Sequence, residues 1–301
     1  MHTFNMYSLS LIAIFMIDQI MSNPMTMSNC VLWADPHLVK FAVHPSLSDR
    51  RPSFYCQSAG PMLVLKNRYI EITVNVTDRP FWNENFEIKL FAGPDTLCTV
   101  SPQNFQCPDK NFLRVKRLHS TMVIKYDEAD DLSVTIYSNT INGRNTYDIH
   151  VSQSFNLIRQ SYGLCVNEDP ACELEHAPNP AGKRKRSLDD ENAMKVCDVY
   201  MQEAYTTAKK ELGNVSSPLN EYARTACIND VSLTGNREWG RSSVSFVAME
   251  ALRLSGLVGK ERERKLESVV YAVKNAISRG DESSCLPGVS CTPRNPAGTF
   301  S

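Results

Sequence analysis

The sequence shows no surplus of positive charge. Its 32 Lys and Arg are balanced by 33 Asp and Glu, for a formal net charge of −1. A nucleic-acid binder would instead carry a basic patch or stripe, so nucleic acid is not an expected partner. The signatures of the common enzyme classes are also missing. No Gly-x-Ser-x-Gly elbow raises a serine nucleophile, and no Walker loop cradles phosphates. Neither a His-Glu-x-x-His zinc motif nor a Cys-x-x-Cys redox pair is found. The six histidines are scattered, which gives no support to a histidine-rich metal site. Neither a cofactor nor a metal is expected, and turnover of an external substrate is not expected either.

What the chain does have is ten cysteines. An even number, high for a cytosolic protein, points to a disulfide framework: Cys30, Cys56, Cys98, Cys107, Cys165, Cys172, Cys197, Cys227, Cys285 and Cys291. Their pairing is not readable from spacing, except that Cys197 and Cys227 fall on neighbouring helical patterns and are expected to tie them together. The apolar run Tyr7 to Ile17 is shorter than the ~20 residues that span a bilayer and suits the core of a signal peptide over residues 1–22. Two glycosylation sequons, at Asn75 and Asn214, point the same way. Secretion, or display on the outer face of the plasma membrane, is therefore expected. No apolar run precedes Ser301, so a glycolipid anchor is not expected.

With 301 residues and 42% hydrophobic content, the chain suits one large domain or two modest ones. From Val31 to about His150 it reads as β. Ile70-Glu71-Ile72-Thr73-Val74-Asn75-Val76 alternates apolar and polar, the period of a half-buried strand. Phe86–Phe91, Leu113–Val115, Thr121–Tyr126 and Leu132–Tyr137 are further candidates, and Asn142-Gly143 marks a hairpin whose flanks suggest a somewhat longer loop. Short strands with turns between them favour a β-sandwich. Cys165 to Arg186 is a loop by its prolines and glycine. After Asp189 the period becomes helical, in four segments: one ending at Gly213, one opened by Ser217-Pro218 and ending near Gly235, Ser243–Leu257, and Glu261–Ile277. The apolar stripe of the last suits either a partner or its own domain. The expected fold is mainly β plus α: an antiparallel β-sandwich over 30–175, a basic loop over 176–192, a disulfide-linked helical region over 193–278 and a cysteine-containing tail over 279–301.

One stretch carries chemistry: Cys30-Val31-Leu32-Trp33-Ala34-Asp35-Pro36-His37-Leu38-Val39-Lys40-Phe41. Asp-Pro is the weakest ordinary peptide link. The Asp35 carboxylate can attack its own carbonyl carbon, and the leaving Pro36 nitrogen belongs to an easily twisted tertiary amide. His37 supplies a proton donor. The same residues also suit a plain turn at the start of a strand. Asp169-Pro170, with no following His, is an internal control that reads as a loop. Elsewhere, Asp127–Asp131 suits a solvated turn or a calcium ion. Lys183-Arg184-Lys185-Arg186 suits a solvated charge run or a processing site, and Arg279-Gly280-Asp281 an integrin motif or a helix end.

Cys-x-x-x-Ala-Asp-Pro-His-x-x-x-Phe resembles the opening of the von Willebrand factor type D-like domain in the repulsive guidance molecule and hemojuvelin family. That family carries Gly-Asp-Pro-His there and cleaves itself between Asp and Pro. Phe54-Tyr55-Cys56-Gln57-Ser58-Ala59-Gly60-Pro61-Met62-Leu63 is similar to a following family segment. Leu164-Cys165, Cys172, Cys197 and Ala226-Cys227-Ile228-Asn229-Asp230-Val231 resemble its closing cysteines. The resemblance covers residues 30 to about 255. It implies a type D-like β-sandwich, self-cleavage at Asp35-Pro36 with His37, and convertase processing after Arg186. It also implies a ligand or co-receptor role with a neogenin-type receptor, linked to axon guidance and bone morphogenetic protein signalling. Morphogen binding is the less expected of the two, because the family's morphogen-binding helical domain would lie before Cys30. The chain departs from the family pattern at Ala34.

Overall fold

The computed structural model describes residues 27–33, 36–44, 51–78, 82–108, 110–118, 120–126, 132–141, 143–174, 188–213, 220–257 and, within 261–275, all but 263, 267 and 274. The strands fall into two antiparallel sheets. The larger holds β1 (Met27–Trp33), β2 (His37–Val39), β3 (Ser53–Cys56), β8 (Leu113–Leu118), β9 (Thr121–Tyr126), β10 (Ser133–Ile141), β11 (Arg144–Ser154) and β12 (Cys172–Leu174), in the order β12-β3-β2-β1-β11-β10-β9-β8. The smaller holds β4 (Gly60–Lys66), β5 (Ile70–Val76), β6 (Asn83–Ala92) and β7 (Asp95–Val100), in sequence order. A short helix α1 (Phe155–Ile158) leaves β11, and a helical region comes after it: α2 (Leu188–Leu212), α3 (Asn220–Thr234), α4 (Ser242–Leu254) and α5 (described residues of 261–275).

Side-chain alternation explains how these layers stack. In β5, Ile70, Ile72, Val74 and Val76 are buried, while Glu71, Thr73 and Asn75 lie on the outer face, as expected of a strand covered on one side. In the central strands of the large sheet both faces are covered. Cys30 and Leu32 of β1, Met122 and Ile124 of β9, and Val134 and Ile136 of β10 join β4–β6 in one core. Val31 and Trp33, Val123 and Tyr137, one residue out of step, join a second core with the helices. The apolar stripe of α5 (Leu266, Val269, Val270 and Val273) belongs to that second core, so it packs on its own chain. The Tyr137 hydroxyl donates to Met249 Sδ of α4 across the same interface. A third contact packs Trp82 against Trp239, tilted with centroids 5.2 Å apart, beside Ile141.

Four disulfides join these parts among the described residues: Cys30–Cys165, Cys56–Cys172, Cys98–Cys107 and Cys197–Cys227. The last ties α2 to α3. Disulfides of this number mark a protein that folds in an oxidising compartment. No helix among the described residues is long and apolar enough to cross a membrane.

Four expectations change. The hairpin at Asn142-Gly143 is tight, since Ile141 and Arg144 pair directly; Gly143, at φ 75°, supplies the left-handed residue that a two-residue turn needs. The stretch read as a loop from Cys165 contains β12, formed where Cys172 pairs with Cys56. The first helix starts at Leu188, inside the residues expected to be linker, and the third stops at Leu254 with Gly256 at φ +70°. Asp127–Asp131 lies outside the described residues.

Gly163 shows how closely the two sheets are tied. It has φ +113°, and a Cβ there would sit 2.9 Å from the Val64 carbonyl oxygen. On either side, Tyr162 N–H donates to Lys66 O, Leu164 N–H to Leu63 O and Cys165 N–H to Val64 O. Gly163→Ala is expected to cost about 1–2 kcal/mol from the left-handed backbone alone and more from the backbone clash. Gly93→Ala, at φ +67° with open space around it, pays only the first part. Urea unfolding of both variants measures the difference, and equal losses would show that the close approach contributes nothing.

Candidate functional site

Trp33 closes β1 and His37 opens β2, and the two are direct partners across the ladder. His37 in turn faces Tyr55 of β3. Residues directly opposite in neighbouring strands share a face, so three rings line up: Trp33–His37 centroids lie 5.4 Å apart and His37–Tyr55 centroids 5.3 Å apart. This is the face that the helices cover, and Phe246 of α4 packs on Trp33 at 4.8 Å.

Asp230 reaches this row from α3. Its Oδ1 lies 2.8 Å from His37 Nε2, and each side chain is 1% exposed. Cys227 stands one turn earlier on α3 and is bonded to Cys197 of α2, so the carboxylate rides on a cross-linked pair of helices. The Pro36 carbonyl accepts a 2.9 Å hydrogen bond from Cys56 N–H, and Cys56 is itself bonded to Cys172. The backbone on the C-terminal side of the Asp-Pro bond is therefore fixed by a covalently tied strand pair.

The chemistry of the pair is set by its atoms. With the proton on Nε2, His37 donates to the carboxylate, and Nδ1 becomes the basic ring nitrogen. A carboxylate in this position orients the ring and stabilises the imidazolium when it takes up a proton. The same contact also joins the helical layer to the sheet.

The remaining site residues expected from sequence are dispersed. Asp35 and Ala34 lie outside the described residues, as do Asn214, Arg186, Cys285, Cys291, residues 1–22 and Arg279-Gly280-Asp281. Pro36 and His37 are buried. Asn75 sits on the outer face of β5, its Nδ2 donating to Glu84 Oε1 at 2.8 Å. The control at Asp169-Pro170 is a turn: Asp169 Oδ1 accepts from Ala171 N–H and its carbonyl from Cys172 N–H. Among the described residues no cluster of three or more His, Cys, Asp or Glu is arranged to hold a metal ion. Asp230 was missed as a partner for His37, because the two are separated by 193 positions and no spacing rule links them.

Against protein-family models, curated proteins and solved structures, the chain gives no match.

Removing the acceptor leaves a buried ring N–H unpaired, which costs about 1–3 kcal/mol. Asp230→Ala is expected to lose that much, and the His37→Phe/Asp230→Ala double variant less than the sum of its singles. A double-mutant cycle by denaturant unfolding reads the coupling. Additivity within about 0.5 kcal/mol would show that the pair is not energetically linked.

Proposed function

We propose that the protein is an extracellular ligand or co-receptor of the repulsive guidance molecule kind, whose β-region is a type D-like sandwich that binds a neogenin-type receptor ectodomain. The observation that carries this reading is the setting of the Asp-Pro-His triplet. It joins the central strand β1 to β2, comes after a cysteine bonded across the fold, and has its histidine held by a carboxylate. Secretion is supported by the four disulfides. Receptor binding by the β-region is supported by the use of the helices' apolar faces, which are spent on the large sheet. Modulation of bone morphogenetic protein signalling is secondary in this reading.

The same reading includes a single self-cleavage. An Asp35 carboxylate oxygen bonds to the Asp35 carbonyl carbon, and the bond from that carbon to the Pro36 nitrogen breaks. The nitrogen leaves with a proton from the His37 imidazolium. Water then opens the five-membered anhydride, leaving a C-terminal Asp35 and a new N-terminus at Pro36. Asp230 acts through His37 as a positioning residue. If the turn needs positive φ at position 34, Ala34 resists it by about 1–2 kcal/mol.

Receptor binding is tested by pull-down of the full oxidised chain with a neogenin-like ectodomain. Binding is expected, and Val199→Ala and Tyr271→Ala, which trim two exposed apolar side chains of the helical layer (39% and 66% exposed), should leave it unchanged. No binding by correctly oxidised protein would favour a structural or adhesive module. Loss of binding in either variant would move the receptor face to the helices.

Cleavage is expected to show only in reduced and denatured samples. Cys30–Cys165 holds β1 covalently, and its pairing with β2 and β11 holds it without the disulfide. Mass analysis should then find a chain beginning at Pro36. Asp35→Ala should abolish it, and Ala34→Gly should speed it about tenfold, at 1.4 kcal/mol per decade. A sample that stays intact at this bond for days at mildly acidic pH would refute the processing step.

A further inference from the structure

The helix-facing side of the large sheet changes character along its length. Around Val31, Trp33 and Tyr137 it is apolar, but next to them the same side carries Ser133, Thr135, His150 and Ser152. Thr135, His150 and Ser152 are buried, and Ser133 is half-buried. They form the floor of a cleft roofed by Phe246, Met249, Glu250 and Arg253 of α4 and by Arg262 of α5.

Arg253 and Glu250 form a forked pair, with Arg253 Nε donating to Glu250 Oε2 at 2.9 Å and Nη2 to Oε1 at 2.7 Å. Arg262 has no hydrogen bond or ion pair among the described residues. Burial lowers its pKa, and the positive charge of Arg253 lowers it further. His150 is 6% exposed, and its Nε2 is buried with no hydrogen-bond partner among the described residues. Burial, with Arg262 adding to it, pushes the His150 pKa down to about 3, so the ring is neutral, and in its Nε2–H tautomer it offers a donor to the cleft. A guanidinium and an imidazole Nε2, neither with a hydrogen-bond partner among the described residues, thus line one cleft.

Buried polar groups are almost always paired, and a buried charge needs an opposite charge more than it needs a dipole. The free space in the cleft is about 20 Å³, enough for one water-sized occupant, which favours a monoatomic anion over a sulfate, a phosphate or a small carboxylic acid. We propose that this cleft is a binding site for a single halide ion, chloride in the extracellular setting, held by Arg262 and His150 between the large sheet and helices α4 and α5. The ion neutralises the Arg262 guanidinium and ties α5 to the sheet floor. The inference rests on the cleft alone and is independent of the receptor reading.

Thermal unfolding of the full oxidised chain in sodium chloride and sodium gluconate, each at about 0.15 M and so matched for screening, is the test. Chloride should raise the midpoint by about 2–4 °C over gluconate, and bromide should act like chloride. Arg262→Met should abolish the chloride-specific rise, and Arg262→Lys should keep part of it. Chloride-35 line broadening by the native protein, absent with Arg262→Met, reads the same site without unfolding. Equal midpoints in the two salts, together with no excess line width in the native protein, would overturn the proposal and leave the cleft to water. A sulfate effect as large as that of chloride would also overturn the assignment to a halide.

Discussion

The structure depends on one strand being buried on both faces. In β1, Cys30 and Leu32 enter the core shared with the small sheet, while Val31 and Trp33 enter the core shared with the helices. A strand in this position cannot slip by one residue. Such a slip would exchange the two sets of side chains between cores of different depth and pull Cys30 away from Cys165. The bond from Cys30 to Cys165 closes a separation of 135 residues, which in a chain-entropy account stabilises by about 5 kcal/mol. Arg51 adds polar anchorage by donating to the carbonyls of Asn29 and Lys40.

The segment after β1 inherits this rigidity. The chain turns through the Asp-Pro bond into β2, so the triplet is held between a fixed strand and one whose neighbour, β3, is bonded to β12 through Cys56–Cys172. A cut at this place would divide the covalent chain without freeing either product. β1 would remain the centre of an eight-stranded sheet, so processing would change chain ends and local strain and leave the layers in place. A ligand presenting a surface assembled from residues on both sides of the cut can be processed in this way without losing that surface.

Much of the β-region was legible because its strands obey simple patterns. Ile70–Val76 is read correctly to the residue, since one face meets a core and the other meets water, and Thr121–Tyr126 is read from its apolar run. β7 is invisible by that route because Asp95–Val100 is mostly half-buried or exposed and has no clean alternation. β3 and β12 are too short for periodicity and owe their pairing to the Cys56–Cys172 contact. Ser133, Thr135 and His150 mislead in the opposite direction. As alternate polar positions they suggest a wet face, and only the packing of α4 and α5 shows that it is covered. In the candidate site, His37 is marked by its triplet, whereas Asp230 becomes its partner only through the folding of a helix a long way down the chain.

The helical layer meets the sheet through polar contacts as well as apolar ones, and the two kinds have different effects. Alanine and valine side chains from α2, α3, α4 and α5 fill the second core, and burial of such groups is worth about 25 cal/mol per Å² with little regard for angle. It would tolerate several rotations of the helices over Trp33 and Tyr137. His37–Asp230 and Tyr137–Met249 would not, since each requires one atom to meet another across the interface. A buried polar pair adds little net stability over an apolar substitute of the same shape, but a misplaced one is costly. The net effect is to penalise every alternative docking of the helices while only modestly rewarding the right one. The carboxylate on α3 thereby selects the orientation of the whole helical layer, and the fixed imidazole beside the Asp-Pro bond is a direct consequence of that selection.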